Sequence, residues 1–346
     1  MHRPVGVSRD FLDADGNNVW GDIGLDALDA AGIEWEYLEE NTAELTPAQI
    51  EGRPGVIFAA PAVTKSTFAG VTEPPLVLAR FGVGYDAVDL PACTANSVAV
   101  TITPDGARRP VATAALTMIL ASLHNLSAKD RLLRRGEWNR RTEWMGRGLT
   151  GTTVGLIGLG NTSTDLVELL KPFGTEILAY DPYCPPERAE AIGVQLAGLS
   201  DIAAAADVVV VMAVLTDETF HLINSDFLAQ MKPVARLVNV SRGPIVDEAA
   251  LIEALKNNTI AGAALDVFES EPLTMDSALI DMDNVILTPH SIAWTDEMSL
   301  GNGGSAVRAI IDTLGSKAPQ FIVNRDVLTK PEFQSRLARQ QTNVRS

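Results

Sequence analysis

The sequence predicts an α/β protein of two doubly wound parallel-sheet domains, and three observations lead there. Short apolar runs of strand length alternate with segments of helical period along most of the chain, the pattern of successive βαβ units. The alternation starts twice, near Pro4 and again at Gly151. The length, 346 residues, suits two domains of ordinary size, each able to bury its own core.

In the first series, residues 4–8 read as a strand, 23–31 as a helix, and 33–37, 55–60 and 76–81 as further strands. Residues 107–126 follow as a long apolar helix. In the second series, 153–157 read as a strand and 164–173 as a helix, and strands at 177–180, 207–212, 237–240, 263–267 and 285–287 complete a set of six. A final amphipathic helix spans 296–314. The second series is complete before it, so it belongs with the first. The first domain is therefore expected to be discontinuous, 1–102 with 293–330, around a second domain of 103–292. Residues 331–346 read as a polar C-terminal tail.

Hydrophobic residues make up 46% and charged residues 21%, the balance of a globular chain. The formal net charge of -17 repels phosphate backbones and argues against a nucleic-acid partner. Only Cys93 and Cys184 occur, without metal-ligand spacing, so no metal is expected and a reducing cytoplasm fits. Met1-His2-Arg3-Pro4 does not open a signal peptide. No stretch nears the roughly 20 apolar residues of a membrane span. The expectation is a cytoplasmic protein without a membrane partner.

Val154-Gly155-Leu156-Ile157-Gly158-Leu159-Gly160-Asn161-Thr162-Ser163 joins a strand to a helix and approaches G-x-G-x-x-G. Gly158 permits the tight turn, and Gly160 lets backbone approach a pyrophosphate seated on the helix N-terminus. Ser163 occupies the third glycine position. Asp181 ends the next strand, 21 residues after Gly160. A carboxylate there accepts from ribose hydroxyls and repels a 2′-phosphate, which favours NAD over NADP. This is the Rossmann arrangement.

Three more segments stand at strand ends, where open α/β sheets bind ligands. They are Val238-Asn239-Val240-Ser241-Arg242-Gly243, Leu265-Asp266-Val267-Phe268-Glu269-Ser270-Glu271-Pro272 and Leu287-Thr288-Pro289-His290-Ser291. An Arg can grip a carboxylate and polarise a carbonyl. A His can donate a proton to a developing alkoxide. A Glu can orient the imidazole and favour its charged form. Such a set suits reduction of a keto acid.

With Arg80-Phe81-Gly82-Val83-Gly84-Tyr85-Asp86, these segments resemble the D-isomer-specific 2-hydroxyacid dehydrogenases from about residue 50 to residue 325. The resemblance implies a Rossmann NAD domain plus a flavodoxin-like substrate domain, with a cleft between. It implies NAD-dependent hydride transfer between nicotinamide and C2 of a small 2-hydroxy or 2-keto acid. Arg242, Glu271 and His290 match the catalytic residues, and Asp266 the contact to the nicotinamide carboxamide. Gly158, Gly160, Asn161, Thr162, Asp181, Thr216, Val240 and Ser241 match cofactor-binding positions. Val83 and Gly84 match the loop whose N–H groups hold the substrate carboxylate. The chain departs from the family at Asn161-Thr162-Ser163, often Arg-Ile-Gly, which removes a positive charge near the pyrophosphate. It departs again at Val214-Leu215-Thr216, often Pro-Leu-Thr, and at Val111-Ala112-Thr113, often Val-Ala-Glu.

Other residues carry two readings. Arg108 and Arg109 are solvated charge or a grip for an extra anionic group on the substrate. Trp138 and Trp144 flank a segment, 134–148, that resembles the family's dimerisation arm, so a homodimer through residues 107–150 is expected, with Trp144 either reaching the other subunit's substrate pocket or packing the interface. Trp294 lines the cleft or packs the second crossover. Glu269 competes with Glu271 for the acidic role, and family spacing selects Glu271. His124 and His221 read as structural. The alternative functions are a phosphoglycerate dehydrogenase-like enzyme, with Arg108 or Arg109 on the phosphate, and a non-catalytic NAD-sensing binding protein.

Overall fold

The computed structural model describes residues 3–343; the readings that fall on Met1, His2 and residues 344–346 lie outside them. The chain divides into two compact units, Met1–Ala107 with Trp294–Ser346, and Arg108–Ala293.

The first unit runs β1 (Val5–Val7), α1 (Asp26–Ala30), β2 (Trp35–Tyr37), α2 (Pro47–Ile50), β3 (Gly55–Phe58), β4 (Val77–Arg80), α3 (Leu90–Ala95) and β5 (Ala99–Thr101). Helix α4 (Pro104–Leu123) leads into the second unit. There follow α5 (Leu126–Arg134), β6 (Thr153–Ile157), α6 (Asn161–Leu170), β7 (Glu176–Tyr180), α7 (Pro186–Ala191), β8 (Gln195–Leu196) and α8 (Leu199–Ala205). Then come β9 (Val208–Val211), α9 (Ser225–Gln230), β10 (Arg236–Asn239), α10 (Glu248–Lys256), β11 (Gly262–Leu265) and β12 (Val285–Leu287). The chain returns to the first unit as α11 (Asp296–Leu314) and α12 (Pro331–Asn343).

Both sheets are parallel. The first has the order β2-β1-β3-β4-β5, the flavodoxin-like order. The second, β12-β11-β10-β9-β6-β7-β8, is the Rossmann order with one added strand. Strands buried on both faces explain the unbroken apolar runs. In β9, Val208 and Val210 join one core while Val209 and Val211 join the other. In β3, Val56 and Phe58 face one core and Ile57 the opposite one. The second of these also takes Ile310 of α11 and Phe333 of α12.

The structure adds helices α2, α3, α5 and α7–α10, which the sequence reading did not give, and differs from it elsewhere. Strands β5 and β8 are also additions to it; β8, with two residues, is too short to show a period. Helix α6 starts at Asn161, directly after Gly160, rather than at 164. The helix expected over 107–126 spans Pro104–Leu123 and ends where Asn125 turns left-handed at φ 52, a conformation Asn tolerates. The expected polar tail is helical over Pro331–Asn343, because Phe333 is completely buried and gives the helix an apolar anchor. Among the described residues no single helix is long and apolar enough to cross a membrane.

Candidate active site

In the second unit, the β6–α6 turn is built for a close approach. Gly158 has φ +95, and a Cβ there would lie 2.8 Å from Ala213 Cα, so a side chain is excluded twice over. At Gly160 a Cβ would meet nothing within 4 Å. No side chain caps the α6 N-terminus. Open space beside uncapped first-turn N–H groups is what a pyrophosphate requires. Asn161 and Thr162 form that first turn. Ser163 is buried, and its hydroxyl donates to Gly158 O at 2.8 Å, so the missing third glycine is replaced by a residue that braces the turn.

Asp181, at the end of β7, accepts from Leu159 N–H at 2.8 Å and from Tyr183 N–H at 3.0 Å. It therefore pins the glycine turn, and a carboxylate retains lone pairs for further donors. Tyr183 OH bonds Glu218, which draws the β7–α7 loop to the 214–219 loop. Thr216 lies exposed in that loop, its N–H donating to Thr219 Oγ1 at 2.8 Å. Arg188 of α7 was not anticipated. Its Nη2 stands 3.5 Å from Asn161 Oδ1, so a guanidinium reaches the turn that lost its family arginine.

The three strand-end segments meet. Asn239 Oδ1 accepts from Ser241 N–H at 3.1 Å and its Nδ2 donates to Arg242 O at 3.0 Å, fixing the Val240-Ser241-Arg242 turn. A Cβ on Gly243 would fall 1.8 Å from Phe268 O, so only glycine lets this turn pack on the 268–269 backbone. Arg242 Nη1 donates to Ser241 O at 2.8 Å. His290 Nδ1 lies 2.8 Å from Glu271 Oε2, and Glu271 Oε1 accepts from Phe268 N–H at 3.1 Å. Burial acts to raise the Glu271 carboxyl. The bonds from His290 and Phe268 and the charges of His290 and Arg242 outweigh it and hold the carboxyl below its ordinary range.

His290 itself takes φ 52, and its N–H donates to Asp266 O at 2.8 Å and to Thr288 O at 3.0 Å. Asp266 Oδ1 gathers Thr288 Oγ1 at 2.6 Å, Ser291 N–H at 2.9 Å and Ile292 N–H at 3.1 Å. Burial lifts the Asp266 carboxyl above its ordinary range in spite of these donors. Asp266 thus shapes the loop that presents His290, with Oδ2 outside the set.

Glu269 pairs with His221 and Glu271 with His290, so the two acids two residues apart serve different histidines. Asp247 completes a group with His221 and Glu269 whose ligand atoms fall within 4.8 Å of one another. Arg108 is bound in a fork by Asp165, with Nε–Oδ2 at 3.2 Å and Nη2–Oδ1 at 2.5 Å, while Arg109 is exposed.

In the first unit, Val83 and Gly84 lie in a loop after β4, with Val83 42% exposed. Arg80 Nε donates to Gly84 O at 2.6 Å. Trp294 packs on Trp20 within this unit, with ring centroids 4.4 Å apart, and stays 55% exposed.

The family described as D-isomer specific 2-hydroxyacid dehydrogenase, NAD binding domain, matches residues 116–291. A D-3-phosphoglycerate dehydrogenase of Methanocaldococcus jannaschii is 39% identical over 249 residues, covering 72% of this chain and 47% of that protein. The chain thus spans about half the length of the phosphoglycerate dehydrogenases it matches. A glyoxylate reductase of Thermococcus onnurineus is 36% identical over 266 residues, 75% of this chain and 79% of that one. The crystal structure of an NADPH-dependent glyoxylate/hydroxypyruvate reductase from Sinorhizobium meliloti is 30% identical, with a TM-score of 0.75 over 93% of this chain and 97% of that one. With its glycine turn, Asp181 and matched segments, this chain belongs to the D-isomer specific 2-hydroxyacid dehydrogenase family and carries that family's NAD-binding domain.

Proposed function

We propose that the protein is an NAD-dependent D-2-hydroxyacid dehydrogenase that works on a small 2-hydroxy or 2-keto acid. The observation that carries this reading is the His290–Glu271 pair beside the Arg242 turn. NADH, when bound, supplies the hydride that reaches C2. Arg242 grips the substrate carboxylate and polarises the carbonyl. His290, engaged by Glu271 through Nδ1, has Nε2 for the substrate and delivers its proton to the carbonyl oxygen as charge develops there. Glu271 keeps the ring oriented and favours its protonated form. Val83 and Gly84 take the substrate carboxylate through backbone N–H groups.

The relatives named phosphoglycerate dehydrogenase and glyoxylate reductase support a 2-hydroxyacid chemistry and leave the side chain open. Asp165 already occupies the Arg108 fork, which leaves exposed Arg109 as the side chain for a substrate phosphate. NADH oxidation against glyoxylate, hydroxypyruvate, pyruvate and phosphohydroxypyruvate is the test. Turnover of an unphosphorylated acid is expected. NADH binding with no turnover of any of the four would point instead to a dinucleotide-sensing protein.

The working form we propose is a cytoplasmic homodimer joined through residues 107–150. Leu126, Leu133, Trp138 and Met145 all lie exposed in that region, more apolar surface than a free face usually shows. Both cysteines are buried and unpaired, which suits a reducing compartment.

A further inference from the structure

The loop that carries Val83 and Gly84 is fastened by two side chains that the proposed reaction does not use. Thr103, between β5 and α4, brackets Gly82. Its N–H donates to Gly82 O at 3.0 Å, and its Oγ1 accepts from Gly82 N–H at 2.8 Å. A backbone N–H can only donate, so the hydroxyl proton of Thr103 is left to seek its own acceptor. It finds Asn302 Oδ1 at 2.9 Å, on α11 and 199 residues away in sequence. Thr103 and Asn302 are 1% and 0% exposed.

The reach of Asn302 depends on glycine. A Cβ on Gly106 would lie 2.3 Å from Asn302 N, and one on Gly301 would lie 2.8 Å from Gly106 Cα. The start of α4 and the middle of α11 can approach this closely only because both positions lack a side chain. Asn302 Nδ2 is buried without a hydrogen-bond partner. An apolar residue would avoid that cost, so what the site retains is the amide carbonyl that receives the Thr103 proton.

Gly82 sits at φ +138, a conformation for glycine, and its peptide sets the direction of the residues that follow. Its N–H is consumed by Thr103. Among the described residues, none accepts a hydrogen bond from the N–H of Val83 or Gly84. Arg80 holds the far end of the loop through Gly84 O and Ala59 O. The loop is thus fixed at both ends with two donors left over.

We infer that Thr103 and Asn302 are positioning residues for the substrate. The Asn302–Thr103–Gly82 chain aims the Val83 and Gly84 N–H groups and thereby sets affinity for the carboxylate of the keto acid. This rests on the proposed function for the role of those N–H groups. Neither residue touches substrate, so their loss acts on KM and spares the hydride step.

The experiment compares Thr103→Val, which keeps the shape and removes the hydroxyl, with Thr103→Ser, which keeps the hydroxyl. Asn302→Ala attacks the same chain from α11. In the full-length protein, Thr103→Val is expected to raise KM for the best keto acid about tenfold, with kcat and NADH affinity within about twofold of wild type. Thr103→Ser should restore KM. Amide hydrogen exchange over residues 82–85 should quicken about tenfold in Thr103→Val and not in Thr103→Ser. The Thr103→Val and Asn302→Ala effects should be non-additive, as for members of one chain. Unchanged exchange in Thr103→Val, a serine variant as impaired as the valine variant, or additive effects would each overturn the inference. If wild type reduces no keto acid, the proposed function falls, and the exchange comparison still decides whether Thr103 holds the loop.

Discussion

His290 Nδ1 and Glu271 Oε2 stand 2.8 Å apart, although 19 residues separate them in sequence. The Glu271 carboxyl lies below its ordinary range, so it is ionised throughout the neutral range and sets a negative charge against the ring it faces. Glu271→Gln keeps the shape and removes the charge. On the proposed mechanism, keto-acid reduction uses protonated His290 and falls as pH rises, while hydroxy-acid oxidation uses the neutral ring and gains as pH rises. Both limbs of kcat/KM should therefore move to lower pH in the variant. Limbs that stay put or move up would remove Glu271 from this role.

Arg242→Lys keeps a charge and loses the fork. We expect kcat/KM for keto-acid reduction to fall about 100-fold, the scale of removing one polarising donor. NADH affinity should change little. Turnover close to wild type would show that Arg242 is not the substrate grip.

Asp181→Ala removes the carboxylate proposed to accept from the ribose and the pin on Leu159 N–H. NADH affinity should fall, and the preference for NADH over NADPH should narrow by about tenfold, or ~1.4 kcal/mol. A wild-type protein that uses NADPH as well as NADH would contradict the assignment.

Arg188→Ala should weaken NADH binding about fivefold at low ionic strength, the upper range for an exposed ion pair. Salt screens such a contact, so the gap between variant and wild type should close as ionic strength rises. Equal affinities at low salt would show that Arg188 does not serve the dinucleotide.

Phe333→Ala should destabilise the first unit by about 3–5 kcal/mol, the usual range for emptying a buried phenyl site. Denaturant unfolding followed through Trp20 and Trp35 would report it. A loss under 1 kcal/mol would mean that α12 rests on the sheet without supporting it.

The two-sheet architecture was legible because strands buried on both faces leave unbroken apolar runs, as in Val208–Val211. The glycine turn and the strand-end segments were legible because chemistry confined to one short segment shows its spacing. What stayed hidden depends on contacts between distant parts of the chain. Arg188 meets Asn161 only once β7 and α7 are placed. Asn302 meets Thr103 only when α11 returns to the first sheet. Family spacing selected Glu271 over Glu269 for the acidic role, which local pattern could not, since both lie in the loop after β11. Helix α12 was missed because one phenylalanine among polar residues is a weak signal until its burial is seen.

Ile310 packs so near β3 that a Cβ on Gly55 would lie 2.7 Å from its Cδ1, and Phe333 shares that core. Both residues are made after the whole second unit. During synthesis, one face of the first sheet must therefore wait, uncovered, while a complete domain is translated between its halves. The second unit can close on residues that are contiguous in the chain. The first must close across that insertion, a long-range step that is slow by its topology. On this connectivity the dinucleotide domain is expected to close before the first unit does.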